Sequence, residues 1–301
     1  MRTAGGRAQA AVLLFAPIAG LAAFAVLKWT GGGEGPDPAA RAGAVELAVW
    51  QYLIAVSVMI WVLLAGLGLL LLRRLTADGV TAGRGATVRF VAFVYTVTVV
   101  PLVIGAAAGL RNPYIMEGQN WKIPLLHLIA GIANLPLLAV LKGIETTAAD
   151  DRGWSTTPSG IARLRLVRRT TRLAIAALGG VIALAVIATG ALRQATAAAG
   201  LTPLPDTFGI VYGAAFTGVV AGVYLYVSSA VEQRARRLLD QIAPLPDPST
   251  TTPQKFSAGR SFRAEVAEEL ELGADPRADL QSLLAVLSPL IGALLTKVGG
   301  L

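Results

Sequence analysis

Cysteine is absent from the sequence, and histidine occurs once, at His127. The missing thiols exclude disulfides, thiolate metal ligands and cysteine nucleophiles. One histidine cannot build a histidine-rich metal site, and neither HExxH nor GxSxG occurs. The glycine-rich stretch "TGGGEGPDP" follows no strand pattern and lacks the GK[ST] of a phosphate-binding loop. These absences predict a protein that is not an enzyme and that needs no metal or cofactor.

Charge is also scarce, because charged residues make up only 15% of the 301 positions, against about a quarter in a soluble domain. Aromatic residues account for 6% and hydrophobic residues for 54%. The mean hydropathy is +0.63. Long apolar runs with so little charge indicate a chain whose solvent is a lipid bilayer. Arginine far outnumbers lysine, which is typical of GC-rich bacterial genomes and predicts a bacterial source.

The apolar residues are grouped into six runs that approach the roughly 20 residues needed to cross a hydrocarbon core. The segments between them are rich in Gly, Pro, Asp and Asn, as connections are. We predict an all-α integral membrane protein whose first 230 residues form a bundle of six transmembrane helices. The predicted spans lie near 10–28, 48–72, 90–110, 123–142, 173–193 and 207–230.

Arginine and lysine are concentrated at the N-terminus and in the second and fourth connections, which predicts that these face the cytoplasm. The protein is then a multi-pass protein of the cell membrane with both termini inside. The first run has the basic start of a secretory signal, and its removal would leave five spans. Its length and its interfacial Lys28–Trp29 pair favour a retained helix.

Residues 231–301 are predicted to form a cytoplasmic tail. The tail divides into a helix extension at 231–243, a Pro/Ser/Thr linker at 244–260, an acidic helix at 261–273 and an apolar amphipathic helix at 275–299. The last helix is interpreted as interfacial or self-associating, since Pro289 and a short apolar length argue against a seventh span. Its predicted association face consists of Leu280, Leu283, Leu284, Leu287, Leu290, Ile291 and Leu294.

Polar residues inside the predicted spans are the candidate contacts for function. They are His127, Asn134, Thr98, Thr217 and Ser57. None is charged, which argues against ion-coupled transport. His127 lies near one end of its span, where it is either a pH-sensitive group or a hydrogen-bonded interfacial histidine. Asn134 lies deeper, and it either joins two helices or marks a polar point on a solute pathway.

The densest basic run is "IARLRLVRRTTR", in which four arginines share one helical face. We predict that they contact anionic lipids of the inner leaflet, or that they simply set the topology. Nucleic acid is excluded as a partner, because no aromatic platform accompanies the run. The four residues are Arg165, Arg168, Arg169 and Arg172.

Three functions remain open from the sequence. The first is a non-enzymatic membrane protein that self-associates into a homo-oligomer, or captures a cytoplasmic protein partner, through its C-terminal tail. The alternative is a channel or permease for a small solute, with a path lined by uncharged polar residues. A third and weaker hypothesis is a lipid-modifying enzyme that uses Asp150 and Asp151.

Overall fold

The computed structural model describes ten stretches of the chain, with side chains omitted at 2–11, 98–108, 124, 276–280 and 296–298. Of the described residues, 92% are helical and none lies in a strand. The stretches are 2–29, 44–80, 83–108, 122–150, 154, 158–201, 207–245, 247, 252–272 and 276–298. The helices are α1 (Arg2–Trp29), α2 (Ala44–Ala77), α3 (Arg84–Ala108), α4 (Lys122–Ala149), α5 (Pro158–Ala198), α6 (Phe208–Ile242), α7 (Pro253–Glu269) and α8 (Pro276–Val298).

Five helices are long and apolar enough to cross a membrane, which confirms the all-α class and the membrane-protein prediction. They are α1, α2, α4, α5 and α6, with qualifying segments Val12–Trp29, Ala44–Ala77, Leu125–Ala149, Pro158–Ala198 and Phe208–Ile242. The third predicted span falls on α3, whose side chains are described only up to residue 97. The count of six spans therefore stays a prediction.

Two of the helices, α5 and α6, are longer than the hydrocarbon core of a bilayer is thick. At 1.5 Å per residue, α5 and α6 are roughly 60 and 50 Å long, whereas a hydrocarbon core is about 30 Å thick. Successive spanning helices alternate in direction, so the start of α5, the end of α6 and the whole of α7 lie at one end. We call this the basic end, because it carries Arg165, Arg168 and Arg234. The other end carries Trp29 and Lys122 and is called the opposite end.

Two helices end in the same glycine motif. Gly79 after α2 and Gly200 after α5 both have φ of 72°. The next residue donates its N–H back across the turn, from Val80 to the Leu75 oxygen at 2.7 Å and from Leu201 to the Thr196 oxygen at 3.1 Å. This is a Schellman cap, which glycine adopts without steric cost.

The first helix is packed onto α2 and held at its carboxyl end. Gly20 lies so close to α2 that an added Cβ would stand 2.9 Å from the Ala55 oxygen. The Leu27 carbonyl oxygen accepts hydrogen bonds from Gln51 Nε2 at 3.5 Å and from Lys122 Nζ at 3.3 Å. A cation at the end of a helix interacts favourably with its dipole. Burial lowers the pKa of Lys122. These contacts hold the carboxyl end of α1 against α2 and the start of α4.

The acidic helix begins earlier than predicted. The range 261–273 was predicted as helix and 244–260 as a linker, whereas α7 starts at Pro253 and ends at Glu269. Proline is well accommodated in the first turn of a helix, because an N–H group at that position would have no acceptor within the helix. Treating Pro253 as a sign of linker was therefore wrong.

The last helix lies inside the bundle, which differs from the predicted interfacial or self-associating placement. An added Cβ on Gly179 of α5 would overlap Ala285 and Ser288, and one on Gly213 of α6 would stand 2.8 Å from the Pro289 oxygen. α8 therefore packs between α5 and α6 and runs parallel to α5. Its packed face carries the small or compact residues Ser282, Val286, Pro289 and Ala293.

The predicted leucine face of α8 points away from the bundle. Leu283, Leu284, Ile291 and Leu294 are each exposed. Leu287 and Leu290 are half-buried, and the side chain of Leu280 lies outside the described residues. The close contacts of α8 with α5 and α6 are made by its small residues, which allow helices to approach each other at short distance. The leucine face stays a predicted association face.

Candidate functional site: a polar cluster within the bundle

His127 joins α4 to α6. Its Nδ1 lies 2.8 Å from the Ile123 carbonyl oxygen, and its Nε2 lies 3.0 Å from the Tyr212 hydroxyl oxygen. A carbonyl oxygen only accepts, so in the neutral imidazole Nδ1 carries the proton and Nε2 accepts from the Tyr212 hydroxyl. The two rings meet edge to face, with centroids 6.4 Å apart. The ring orientation of His127 is therefore held from both sides.

Asn134 lies two turns further along α4 and has one unsatisfied atom. Its Nδ2 donates to the Ala130 oxygen of its own helix at 3.0 Å. Its Oδ1 is buried and has no hydrogen-bond partner among the described residues. The side chain therefore joins no two helices in the described structure. A buried acceptor without a donor costs on the order of 1–3 kcal/mol, so this oxygen has the capacity to accept a further hydrogen bond.

Tyr95 of α3 completes the cluster. Its hydroxyl donates to the Gly131 carbonyl oxygen of α4. An added Cβ on Gly131 would stand 3.1 Å from the Tyr95 ring, so the glycine makes room for the tyrosine. The contact brings α3 against the same stretch of α4 that carries His127 and Asn134.

Two small cavities meet at His127. The central cavity has a volume of about 80 Å³ and is lined by Tyr95, His127, Asn134 and Tyr212 together with apolar residues of α5 and α6. The second cavity, of about 60 Å³, reaches Trp50 and Trp61 of α2. Both volumes exceed the space that one water molecule needs. Since His127, Ala130 and Ala185 line both, the imidazole stands at their boundary.

A larger groove adjoins the central cavity on the side of the basic end. It has a volume of about 600 Å³ and lies between α3 and α6, with Lys142 of α4 at its base. Val94, Val219 and Val223 line both the groove and the central cavity. The three spaces therefore follow one another from the opposite end toward the basic end.

The structure brings together some of the predicted polar residues and separates others. His127 and Asn134 share the central cavity. Ser57 is buried on α2 and donates to the Leu53 oxygen of its own helix at 2.7 Å. Thr217 Oγ1 is buried without a partner among the described residues and does not line the cavity. The side chain of Thr98 lies outside the described residues.

Sequence reasoning missed Tyr95, Tyr212 and Trp61. Tryptophan and tyrosine are enriched at membrane interfaces, so their presence in an apolar run does not by itself indicate a site. One signal was available, because His127 is the fifth residue of the predicted span 123–142 and Tyr212 the sixth of the predicted span 207–230. Both spans enter the membrane from the same side in the predicted topology, so the two side chains lie at nearly the same depth.

Three of the four predicted lipid-binding arginines hold the carboxyl end of α7. Arg165 donates to the Glu269 carbonyl oxygen at 3.1 Å and also pairs with the Glu269 carboxylate. Arg168 pairs with Glu232 at 2.9 Å and donates to the Leu270 and Glu271 carbonyl oxygens. Arg172 pairs with the Glu271 carboxylate at 3.4 Å, and Arg169 is exposed. Cations stabilise a helix end of this polarity. The lipid contacts themselves stay a prediction.

The acidic pair considered for lipid chemistry lies at the end of α4. The main-chain oxygen of Asp150 accepts from Arg234 Nη2 at 2.6 Å. Asp151 lies outside the described residues. Within the described ranges, no three or more His, Asp or Glu side chains lie together as metal ligands would.

Comparison with known proteins adds no family to this description. The chain matches no protein-family model, no curated protein and no solved structure.

Proposed function

We propose that this protein is a multi-pass membrane protein that binds a small uncharged solute in the central cavity and lets it cross the bilayer. The observation that carries the proposal is the position of His127 and Asn134. They line one cavity inside the bundle, and a second cavity begins on the other side of the imidazole. A solute that donates a hydrogen bond would satisfy Asn134 Oδ1, which has no described partner.

The lining of both cavities favours an uncharged solute. Their polar groups are hydroxyl, amide, indole and imidazole groups, and no aspartate, glutamate, lysine or arginine is among their lining residues. Transferring an ion into such a space costs several kcal/mol without a charged partner. A neutral solute with several hydrogen-bonding groups pays much less, because tyrosine and asparagine replace its water contacts.

His127 and Tyr212 form the boundary that the solute has to pass. Their hydrogen bond holds the imidazole across the junction of the two cavities. Rotation of Tyr212 would break one hydrogen bond and rotation of His127 two, at a net cost of about 1 kcal/mol for each bond. A side-chain rearrangement at this pair would join the two cavities.

Solute flux in liposomes tests the proposal. After a hyperosmotic shift in a stopped-flow assay, vesicles with the purified protein should shrink faster as water leaves, or re-swell faster as an uncharged polyol such as glycerol enters, than empty vesicles. Asn134→Leu should reduce the protein-dependent rate about tenfold, because a buried hydrogen bond of about 1.4 kcal/mol is lost from the bound solute. Thr217→Val is the matched control, since Thr217 is also a buried unpaired residue but lies outside the cavity lining. Equal rates for Asn134→Leu and wild type would contradict a path through this cavity.

For the arrangement in the membrane, we infer six crossing helices, α1 to α6, with the basic end in the cytoplasm of the cell membrane. The concentration of arginine at that end supports this orientation. The packing of α8 between α5 and α6 supports a seventh membrane-embedded helix that enters from the basic end. Its exposed residues Leu283, Leu284, Ile291 and Leu294 then face lipid.

Cysteine labelling tests the position of α8, and the absence of native cysteine makes the background clean. Cysteine replaces Lys297 in the last turn of α8, Leu201 at the opposite end, or Ser257 at the basic end. A membrane-impermeant maleimide should not label Lys297→Cys from the side of Ser257→Cys. Labelling of Lys297→Cys from the side of Ser257→Cys would indicate that α8 lies at the cytoplasmic surface.

Self-association through α8 is a second proposal, supported by the exposure of its leucine face. Leu284→Cys should form disulfide-linked dimers in native membranes under oxidation, because two copies of this face would meet in the bilayer. Val211→Cys, on an exposed apolar position of α6, is the control and should stay monomeric. Equal cross-linking of both variants would indicate random collision and remove the support for an α8 interface.

A further inference from the structure

The groove between α3 and α6 has apolar walls and opens toward the lipid. Phe93 and Val97 of α3 line one wall, and Val219 and Val223 of α6 line the other. Phe93 is 67% exposed although it lines the groove, which indicates that the groove opens sideways. A volume of about 600 Å³ is within the range of ligand-binding sites.

The end of the groove nearest the basic end is cationic. Its charged lining residues are Arg89 and Lys142. The Lys142 side chain is only 13% exposed and pairs with Glu145. Its ammonium group also donates to the Tyr226 hydroxyl at 2.9 Å, which leaves one of its three N–H donors for a further acceptor. With one carboxylate for two cations, a positive charge is in excess.

An aromatic pair separates the cationic end from the apolar walls. Phe90 and Tyr226 stack with centroids 5.8 Å apart, and the Lys142 ammonium lies 5.3 Å from the Tyr226 ring centroid. Tyrosine, whose ring is amphipathic, is enriched at the level of lipid headgroups. From Arg89 to Val97 the groove extends roughly 12 Å along α3, which places its walls in the hydrocarbon region.

We propose that this groove binds one anionic phospholipid of the surrounding bilayer. The lipid phosphate meets Arg89 and Lys142, and one acyl chain lies between α3 and α6 along Phe93 and Val97. Charge selects the headgroup, since the groove has cationic lining residues and a net positive end. The site is independent of solute passage, although its apolar wall is shared with the central cavity at Val94, Val219 and Val223.

Native mass spectrometry of the purified full chain tests the headgroup. The probes are phosphatidylglycerol and phosphatidylcholine with identical acyl chains, each titrated into the detergent-solubilised protein. We expect one phosphatidylglycerol to bind with at least fivefold higher affinity than phosphatidylcholine. Arg89→Gln should lower the affinity for phosphatidylglycerol about fivefold, because one cation near the headgroup contributes about 1 kcal/mol. The affinity for phosphatidylcholine should not change. Equal affinity of both lipids for the wild type would overturn the proposal.

Two glycine variants of α6 test the acyl-chain position. An added Cβ meets nothing within 4 Å at either Gly222 or Gly218, so both leucine variants should fold. Gly222 lines the groove, and Gly218 lies one turn away outside it. Gly222→Leu should weaken binding of both lipids about tenfold or more, because its side chain occupies the apolar volume. Gly218→Leu should bind like wild type.

Three results would overturn the acyl-chain position. They are unchanged lipid affinity in Gly222→Leu, equal loss in both variants, and a dimer in place of the lipid-bound monomer. Thermal unfolding of each variant is measured in the same detergent, so a folding defect is recognised separately. Because the readout is a bound mass, it is also separate from solute flux.

Discussion

Gly179→Ala should destabilise the protein by about 1–3 kcal/mol, whereas Gly180→Ala next to it should be neutral or slightly stabilising. At Gly179 the new methyl group would overlap the main-chain oxygen of Ala285 in α8, and at Gly180 it meets nothing within 4 Å. Overpacking a close helix contact costs this amount, because backbone cannot move aside as a side chain does. Both variants gain the same helix propensity from alanine.

Thermal unfolding in detergent, followed by circular dichroism, measures the difference between the two glycine variants. Limited proteolysis gives a second readout, because loosening α8 from α5 should expose the segment after residue 272 to cleavage in Gly179→Ala only. Equal stability and equal cleavage of the two variants would show that α8 does not pack on α5 at this depth.

Arg234→Leu should destabilise the protein by about 3 kcal/mol or more. Arg234 is only 1% exposed, and it donates from Nε to the Ala148 oxygen at 3.0 Å and from Nη2 to the Asp150 oxygen at 2.6 Å. These oxygens belong to the carboxyl end of α4, where a cation is favourable. Each hydrogen bond from a charged donor contributes about 1.5–3 kcal/mol. The guanidinium also lies 5.4 Å from the Trp154 ring centroid, a further contact that leucine removes.

Arg236→Leu, on the same turn of α6, is the matched control for this loss. Its guanidinium is 72% exposed and pairs with Glu232 at 3.2 Å, an i,i+4 pair on the helix surface. Such a pair contributes about 0.3–0.5 kcal/mol. Unfolding by denaturant in mixed micelles compares the two variants. A loss of similar size for both would mean that general positive charge, and not the capping of α4, stabilises the basic end.

The polar cluster shows how far sequence reasoning reaches in a membrane bundle. Asn134 and His127 were recognised as candidate contacts because polar residues are rare within apolar runs. Their partners were not recognised, since Tyr212 is 85 positions from His127 in the chain. Helical periodicity shows which residues share a face of one helix, but it does not show which other helix that face meets.

The tail shows the same limit more sharply. Its leucine stripe predicts an interfacial or self-associating face. In the folded chain the opposite face of α8 packs on α5 and α6, because small residues allow helices to approach closely. The close contacts involve Gly179, Gly213 and Gly292. The pattern of α8 alone does not show which helices it meets.

The tertiary structure shows which groups the arginine run contacts. As a sequence, "IARLRLVRRTTR" is a basic helical face before a predicted span. Such a face predicts either contacts with anionic lipids or a role in setting the membrane topology. In the folded chain, Arg168 reaches the Leu270 and Glu271 carbonyl oxygens, more than a hundred residues away. Glu271 has a φ of 52°, a left-handed conformation that glycine usually adopts at a helix end. The guanidinium contacts hold this residue in place.

The sequence by itself determined the all-α class of this protein and its long apolar helices. Apolar runs of bilayer length have to be helical, because every backbone N–H and C=O in lipid needs a partner within the segment. It also excluded thiol chemistry, because there is no cysteine. Only the tertiary structure decided the pairing of His127 with Tyr212, the cavities on either side of them and the place of α8 between α5 and α6. The physical reason is that lipid accepts any apolar face, so the choice among faces depends on close packing and hydrogen bonds between distant segments.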